Sequence, residues 1–509
     1  MAKQPTKKTE TKSFEQSLWD TATALRGNLE PSEYKYPVLA LIFLKYVGDA
    51  FTIQRDKLIA DGHGSVAEQP FAYTKDNVFY LPEESRWSYL QQHSKQEDIS
   101  LKIDTALALI EKSNEALRGA LPDNLFSRLQ IENASLSALI DAVNNIDTTS
   151  SEDVIGRVYE YFLANFAANE GKKGGEFYTP NSIVNLIAEM IEPYSGKIYD
   201  PCCGSGGMFV QSLKFIENHQ GNKKDISVYG QEFTATTFKL AKMNLAIRGI
   251  SANLGEAPRD TLKNDQHLDL KADYIMANPP FNIDKWRGED ELLDDARWAG
   301  YEVPPVGNAN YAWLLHMISK LSVNGTAGIV LANGSMSTST KGELAIRKQI
   351  LENDLVDCIV NLPSQLFYGT QIPACIWFLS KNKKRKADNT GKTLFIDARE
   401  IGYMKGRVLR DFTAEDIAKV AQTYHNWRDG ENYEDIAGFC KSSELEEIKK
   451  HDYVLTPGRY VGAAEEEDDG IPFEEKMADL TAKLGEQFAQ SAKLENDIKA
   501  NLKGLGYEF

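Results

Sequence analysis

Histidine and cysteine are scarce in this chain: its 509 residues include seven histidines and five cysteines. No HExxH and no CxxC pair stands among them, so a metal-centred mechanism has no ligand set and no metal site is expected. The cysteines, Cys202, Cys203, Cys358, Cys375 and Cys440, are odd in number and scattered, and two are adjacent. That is a poor disulfide framework and fits a reducing compartment. No run of about 18 apolar residues could cross a bilayer, so no membrane partner is expected. The basic start MAKQPTKKTETK lacks an apolar h-region and reads as a flexible tail over residues 1–12, which places the protein in the cytoplasm. Positive charge is also short. Against 74 acidic side chains there are 57 basic ones, a formal charge of −17, the wrong sign for a protein that grips DNA unaided through its phosphates. There is no Walker motif, which leaves nucleotide-driven translocation or cleavage to another polypeptide.

What is present has the length for two or three folding units. Residues 13–150 read as a helical domain: Phe14, Leu18, Ala22 and Leu25 recur at helical spacing, and Val38–Val47, after Pro37, reads as a buried helix. From 151 to 400 short apolar runs alternate with helical patterns. The expected strands are Lys197–Asp200, Ile226–Gly230, Tyr274–Ala277, Ala327–Ala332, Val356–Asn361 and Cys375–Leu379. That alternation predicts an α/β fold with a doubly wound, mostly parallel sheet, whose ligands sit at the carboxyl ends of the strands. The basic run Lys381–Lys386 (KNKKRK) reads as a solvated loop. Residues 401–470 form an extension closing on the acidic linker Glu465–Asp469. Within 471–509, Met477, Leu480, Leu484, Phe488, Leu494, Ile498 and Leu502 predict an amphipathic helix that needs a partner face.

The chemistry clusters after the expected strands. Asp200-Pro201-Cys202-Cys203-Gly204-Ser205-Gly206-Gly207 puts an acidic residue and a glycine loop between a strand and a helix. It is neither a P-loop nor G-x-G-x-x-G, since no Gly-Lys-Ser/Thr follows and Phe209 stands in the third glycine's place. On its own it is a cofactor loop or a tight turn. Glu232, just after the second strand, can accept from both hydroxyls of a ribose or be a surface carboxylate. The sharpest signal is Asn278-Pro279-Pro280-Phe281, after a strand. Two prolines hold the chain extended, leaving the Pro279 carbonyl free beside the Asn278 side-chain oxygen. Two acceptors aimed at one NH2 group would bind it and direct its lone pair toward an electrophile. Phe281 can stack on a flat ring, which suits a base flipped out of a duplex.

These motifs resemble those of the amino-methyltransferases: Asp200–Gly207 resembles motif I, Asn278–Phe281 motif IV, and Gly175-Glu176-Phe177-Tyr178-Thr179-Pro180 motif X. Motif X before I before IV is the order of the gamma class of DNA amino-methyltransferases. Over nearly the whole chain the sequence is similar to the modification (M) subunits of type I restriction-modification systems. The shared segments include Gly27-Asn28-Leu29, Phe43-Leu44-Lys45-Tyr46, Gly156-Arg157-Val158-Tyr159-Glu160-Tyr161 and Thr456-Pro457-Gly458-Arg459-Tyr460-Val461-Gly462. One departure is Cys202-Cys203, where the family more often has Thr-Cys. The resemblance implies a sheet of the S-adenosylmethionine-dependent methyltransferase type, preceded by a helical domain and followed by a helical extension. It implies S-adenosyl-L-methionine as cofactor, with Phe177, Tyr178, Thr179 and Pro180 at its methionine end and Asp200, Gly204, Ser205, Gly206 and Gly207 around its amino-acid portion. Glu232 would hold the ribose, and Asp260, which could equally cap a helix, the adenine. Asn278, Pro279, Pro280 and Phe281 would carry catalysis on the 6-amino group of adenine in DNA. The implied partners are a specificity (S) subunit, two M subunits to each S, and a restriction (R) subunit. Three other readings remain: a self-sufficient DNA adenine methyltransferase, a protein glutamine methyltransferase, which shares Asn-Pro-Pro-aromatic, and a catalytically inactive scaffold.

Overall fold

The computed structural model describes residues 14–23, 31–74, 78–146, 154–170, 178–222, 225–367, 372–463 and 473–504. Leu25, Gly27–Leu29, Phe177 and the acidic linker lie outside them. The chain forms two compact units, 1–462 and 463–509.

Helices open the larger unit: Phe14–Thr23, Pro31–Ala60, Ile99–Ser113, Asn133–Asn144 and Val154–Glu170. Their apolar stripes meet in one core around Leu18, Trp19, Val38, Phe43, Tyr159 and Phe166. Pro37 lies inside the helix Pro31–Ala60 and not ahead of it, as its place before the apolar run suggested. The complete burial of Tyr34 and Val38–Phe43 offsets the hydrogen bond the proline cannot make. By length and composition Tyr34–Ala60 could also cross a membrane, but 67% of its apolar window is buried against the rest of the fold. Leu240, Met243 and Ile247, from the helix Ala235–Ile247, enter the same core and join the helical region to the sheet that follows.

Nine strands among the described residues form that sheet: β1 (Gly196–Asp200), β2 (Ile226–Gly230), β3 (Ala252–Asn253), β4 (Ala272–Ala277), β5 (Leu321–Ala332), β6 (Val356–Asn361), β7 (Ala374–Ser380), β8 (Lys392–Asp397) and β11 (Cys440–Glu444). A separate ribbon pairs β9 (Tyr403–Met404) with β10 (Arg410–Asp411). The sheet order is β11-β8-β6-β7-β5-β4-β1-β2-β3. β7 runs antiparallel to both β5 and β6, and β11 antiparallel to β8; the remaining pairs are parallel. Hence β1, β2, β4, β5, β6 and β8 all point one way, and their carboxyl ends share one edge. Every residue of β6 and β7 is buried, as expected of strands covered on both faces.

Each of the six strands expected from apolar runs is present. β3, β8 and β11 are additional. β11 reads Cys-Lys-Ser-Ser-Glu and carries almost no apolar signal, because an edge strand is held mainly by backbone bonds to its one neighbour. The sheet therefore continues past 400, into the stretch read as an extension. The run Lys381–Lys386 is only in part the solvated loop expected: Lys381, Lys384 and Lys386 are exposed, but two of its cations turn inward. Lys383 is buried, with Nζ 2.6 Å from Asp354, and Arg385 lies 2.5 Å from the fully buried Asp357 and 3.1 Å from the Tyr424 hydroxyl. Paired carboxylates at the start of β6 draw these cations inward. In the smaller unit, Phe473–Gly504 is one helix on which Met477, Leu480, Leu484, Phe488, Leu494 and Ile498 are all exposed.

Candidate active site

Four loops at the carboxyl edge bring the sequence-derived residues together. At the end of β1, Asp200 is buried and accepts from the Cys202 amide at 3.0 Å. The loop then turns through Gly204 (φ 54°) and Gly206 (φ 81°), backbone angles that favour glycine, and Gly206 caps the helix Gly207–Asn218. A Cβ on Gly204 or Gly207 would meet nothing within 4 Å, so both face open space, whereas one on Gly206 would press on Leu245 at 3.3 Å. The Ser205 carbonyl accepts from Asn244 at 2.7 Å, which ties the loop to the next helix.

After β2, the Glu232 carboxylate accepts from the Gly204 amide at 3.1 Å and from Thr234 at 2.8 Å. Asp260 follows β3; its Oδ1 accepts from Leu262 and Lys263 at 2.9 and 3.4 Å, closing a turn and not capping a helix, and Thr261 donates to the Pro201 carbonyl at 2.6 Å. Asn278 follows β4 directly. Its Nδ2 donates to Thr179 Oγ1 at 2.9 Å, and its Oδ1 is buried without a partner among the described residues. Pro279 is buried; Phe281 is half-buried and meets Phe367 edge-on at 6.1 Å. Tyr178 donates to Asn181 at 2.8 Å and Pro180 precedes the helix Asn181–Ile191. Phe177 lies outside the described residues.

Two features set the electrostatics. Asp200 is pushed up to about 7, mainly by burial, with Glu232 adding to the rise and the Cys202 hydrogen bonds opposing it. A buried carboxylate of this kind fits a cationic ligand group. The orphaned Asn278 oxygen fits a donor, and an NH2 group supplies one. The residues present thus suit S-adenosylmethionine, with its ammonium and ribose, and an exocyclic amine.

Several contributors carry no local sequence signal. Phe367 reaches Phe281 from a loop after β6. Arg297 clamps the Asp260 loop: Nη1 donates to the Thr261 carbonyl at 3.2 Å and Nη2 to that of Leu262 at 2.6 Å. Asp295 holds it through Nε at 2.8 Å and Nη2 at 2.7 Å. Behind it His316 bridges Arg297 (3.1 Å) and the Tyr199 hydroxyl (3.0 Å). Burial, then the Arg297 charge, lowers His316 to about 3, so the imidazole stays neutral. Only the arginine's i+2 spacing from Asp295 is visible locally; its carbonyl partners lie 35 and 36 positions away.

A strand-end asparagine before two prolines, beside a glycine loop in a doubly wound sheet, defines the class of amino-methyltransferases. Residues 150–469 match the N-6 DNA Methylase family model and residues 14–146 the HsdM N-terminal domain. The chain is 54% identical over 451 residues to the type I restriction enzyme HindI methylase subunit of Haemophilus influenzae, covering 84% of this chain and all of that one. It is 38% identical to the MjaIX methylase subunit of Methanocaldococcus jannaschii, over 98% of this chain and 92% of the other. A crystal structure of the type I restriction-modification methyltransferase subunit of Streptococcus thermophilus superimposes with a TM-score of 0.76 at 26% identity, covering 88% of this chain and 99% of that one. The chain belongs to the N-6 DNA methylase family and, within it, to the methylase subunits of type I restriction-modification systems.

Proposed function

We propose that this subunit transfers a methyl group from S-adenosyl-L-methionine to the 6-amino group of a flipped-out adenine in DNA. The observation that carries the reading is the buried, unpartnered Oδ1 of Asn278, fixed by Thr179 and next to Pro279. Once bound, the cofactor supplies an already activated sulfonium methyl. Asn278 Oδ1 and the Pro279 carbonyl accept from the target amine and orient its lone pair. Both oxygens hold the amine more strongly as positive charge develops on it, which favours the transition state over the ground state. Phe281, with Phe367 set across it, offers a face to the base, and Pro280 keeps the turn rigid. On the cofactor side, Asp200 takes the ammonium; Gly204, Ser205, Gly206 and Gly207 let the amino-acid portion approach the backbone; Glu232 takes the ribose hydroxyls; Asp260 faces the adenine; Phe177, Tyr178, Thr179 and Pro180 close the methionine end.

The charge of −17 supports dependence on a specificity subunit for sequence recognition, with two methylase subunits to one specificity subunit and a restriction subunit completing the complex in the cytoplasm. The exposed apolar side chains of Phe473–Gly504 support that helix as the docking element. We also read residues 13–150 as a sequence domain of their own, a division supported by family matches that meet between 146 and 150, within the compact unit they share with the sheet. The protein glutamine methyltransferase reading leaves the HsdM-type N-terminal region without a role.

The test is to incubate the full chain, alone and with its co-expressed specificity subunit, with cofactor and DNA, followed by sequencing that detects methylated bases. Methyladenine at a defined site, dependent on the second subunit, is expected. No methyladenine in either sample overturns the reading.

A further inference from the structure

The edge that carries Asn278 extends past β6 to β8, which runs parallel to it and ends at Asp397. Five residues beyond β8 the chain rises into the β9–β10 hairpin, Tyr403–Asp411. Gly402 (φ 87°) closes its base, where a Cβ would lie 2.8 Å from the Asp411 carbonyl. The Arg410 amide donates to the Gln365 carbonyl at 2.9 Å, so the hairpin is pinned to the loop whose Phe367 meets Phe281. The hairpin is thus continuous with the target-base side of the candidate site.

Its charge opposes that of the whole chain. Residues 399–411 carry four basic side chains, Arg399, Lys405, Arg407 and Arg410, against two acidic ones, in a protein of net charge −17. Lys405, Gly406 and Arg407 form an exposed tip. Arg399 is held by Asp397 at 2.8 and 2.7 Å, yet 54% of its side chain faces water; Lys405 pairs with Asp411 at 2.8 Å with 52% exposed. The Lys405–Asp411 pair is of the surface kind that contributes little, so a phosphate can replace its carboxylate, while Arg399 stays seated on the buried Asp397 and offers its water-facing side. The segment Thr456–Gly462 gains a purpose in the same place. The Tyr460 ring stacks on Phe395 of β8 at 3.8 Å, a Cβ on Gly458 would come within 3.1 Å of the Arg399 guanidinium, and Arg459 is exposed next to it.

We propose that this basic ridge, the β9–β10 hairpin with Arg399 and Arg459 at its base, grips the phosphate backbone of duplex DNA beside the flipped base. An acidic subunit needs such a local patch at the edge where its substrate arrives, since phosphate contacts position a duplex without reading its sequence. The inference rests on the DNA-adenine reading above. The exposed Tyr403, Met404 and Val408 would equally suit a protein partner, but the charge favours DNA.

The test uses the full chain assembled with its specificity subunit and compares wild type with Lys405→Glu/Arg407→Glu, the milder Arg407→Gln, and the charge-conserving Lys405→Arg/Arg407→Lys. The expected result for the double reversal is DNA affinity lowered on the order of tenfold or more, and a slope of log affinity against log salt reduced by about 2. Arg407→Gln should reduce the slope by about 1. Cofactor affinity and complex sedimentation should not change, and the charge-conserving variant should bind DNA like wild type. An unchanged DNA affinity and salt slope overturns the ridge while wild-type methylation leaves the proposed function standing. Loss of the complex with unaltered DNA affinity of the remainder also overturns it and assigns the hairpin to a protein contact. Failure of wild type itself to methylate DNA overturns both readings.

Discussion

Asn278 and Thr179 stand 99 positions apart and meet through one hydrogen bond of 2.9 Å, from the asparagine amide to the threonine hydroxyl. That bond occupies the amide nitrogen and leaves the oxygen as the free acceptor, the orientation the proposed binding of the target amine requires. Asn278→Ala should therefore lower the methylation rate on the order of 100-fold with cofactor affinity retained. Thr179→Val, which removes the acceptor but keeps the volume, should cost about tenfold or more, and Thr179→Ser should restore the rate. Single-turnover rates at saturating cofactor decide it. A wild-type rate in Asn278→Ala removes the asparagine from catalysis.

The proposed contact of Asp200 with the cofactor's ammonium predicts that cofactor binding depends on pH. Its carboxyl is raised to about 7 in the fold, against about 3.9 in an unfolded chain. Between those values the unfolded chain releases a proton that the folded one keeps, so stability without cofactor falls as pH rises from about 4 to about 7, then levels. The ionised carboxylate is the form that attracts an ammonium, so cofactor affinity runs the other way. Titration calorimetry should show binding tighten several-fold from about pH 6 to about pH 7.5. Asp200→Asn should abolish that dependence, weaken binding and stabilise the protein without cofactor at neutral pH. Equal affinity at both pH values in wild type would contradict the assigned role.

Arg297 holds the Asp260 loop by two carbonyls while Asp295 holds Arg297. Lysine keeps the charge but cannot span both carbonyls and a carboxylate at once. Arg297→Lys should therefore raise the cofactor dissociation constant about tenfold with kcat at saturating cofactor nearly unchanged, which marks a positioning role. A fall in kcat without a change in cofactor affinity is the result that rejects it. Arg297→Ala also leaves Asp295 unpaired and should lower stability by about 1–2 kcal/mol, read as a shift in the urea midpoint.

Leu480 and Leu484 lie on one face of the helix Phe473–Gly504, 55% and 49% exposed. Replacing both with lysine alters no buried contact of the helix, so thermal unfolding and cofactor binding should stay as in wild type. Assembly with the specificity subunit should weaken strongly, since the charges would have to be buried at the interface. Sedimentation velocity measures it, and deletion of residues 471–509 should give the same loss. Assembly that persists in the truncated chain rejects the docking role.

The sequence by itself determined the central strands, the order of the motif loops and the Asn-Pro-Pro-Phe turn at a strand end. Apolar runs covered on both faces and glycine or proline at strand ends are imposed by local sterics and burial, so they can be read along one line of text. It also determined that the C-terminal helix would carry an apolar face, because a period of three and four survives in any surroundings. Tertiary structure alone decided how Thr179 orients Asn278, how Arg297 restrains the loop of Asp260, and why Lys383 and Arg385 turn inward to Asp354 and Asp357. It alone recruited the polar strand Cys440–Glu444 to the sheet edge. In each case the partner is remote in the chain, and the energy lies in hydrogen bonds and ion pairs whose geometry exists only after the strands have set their register.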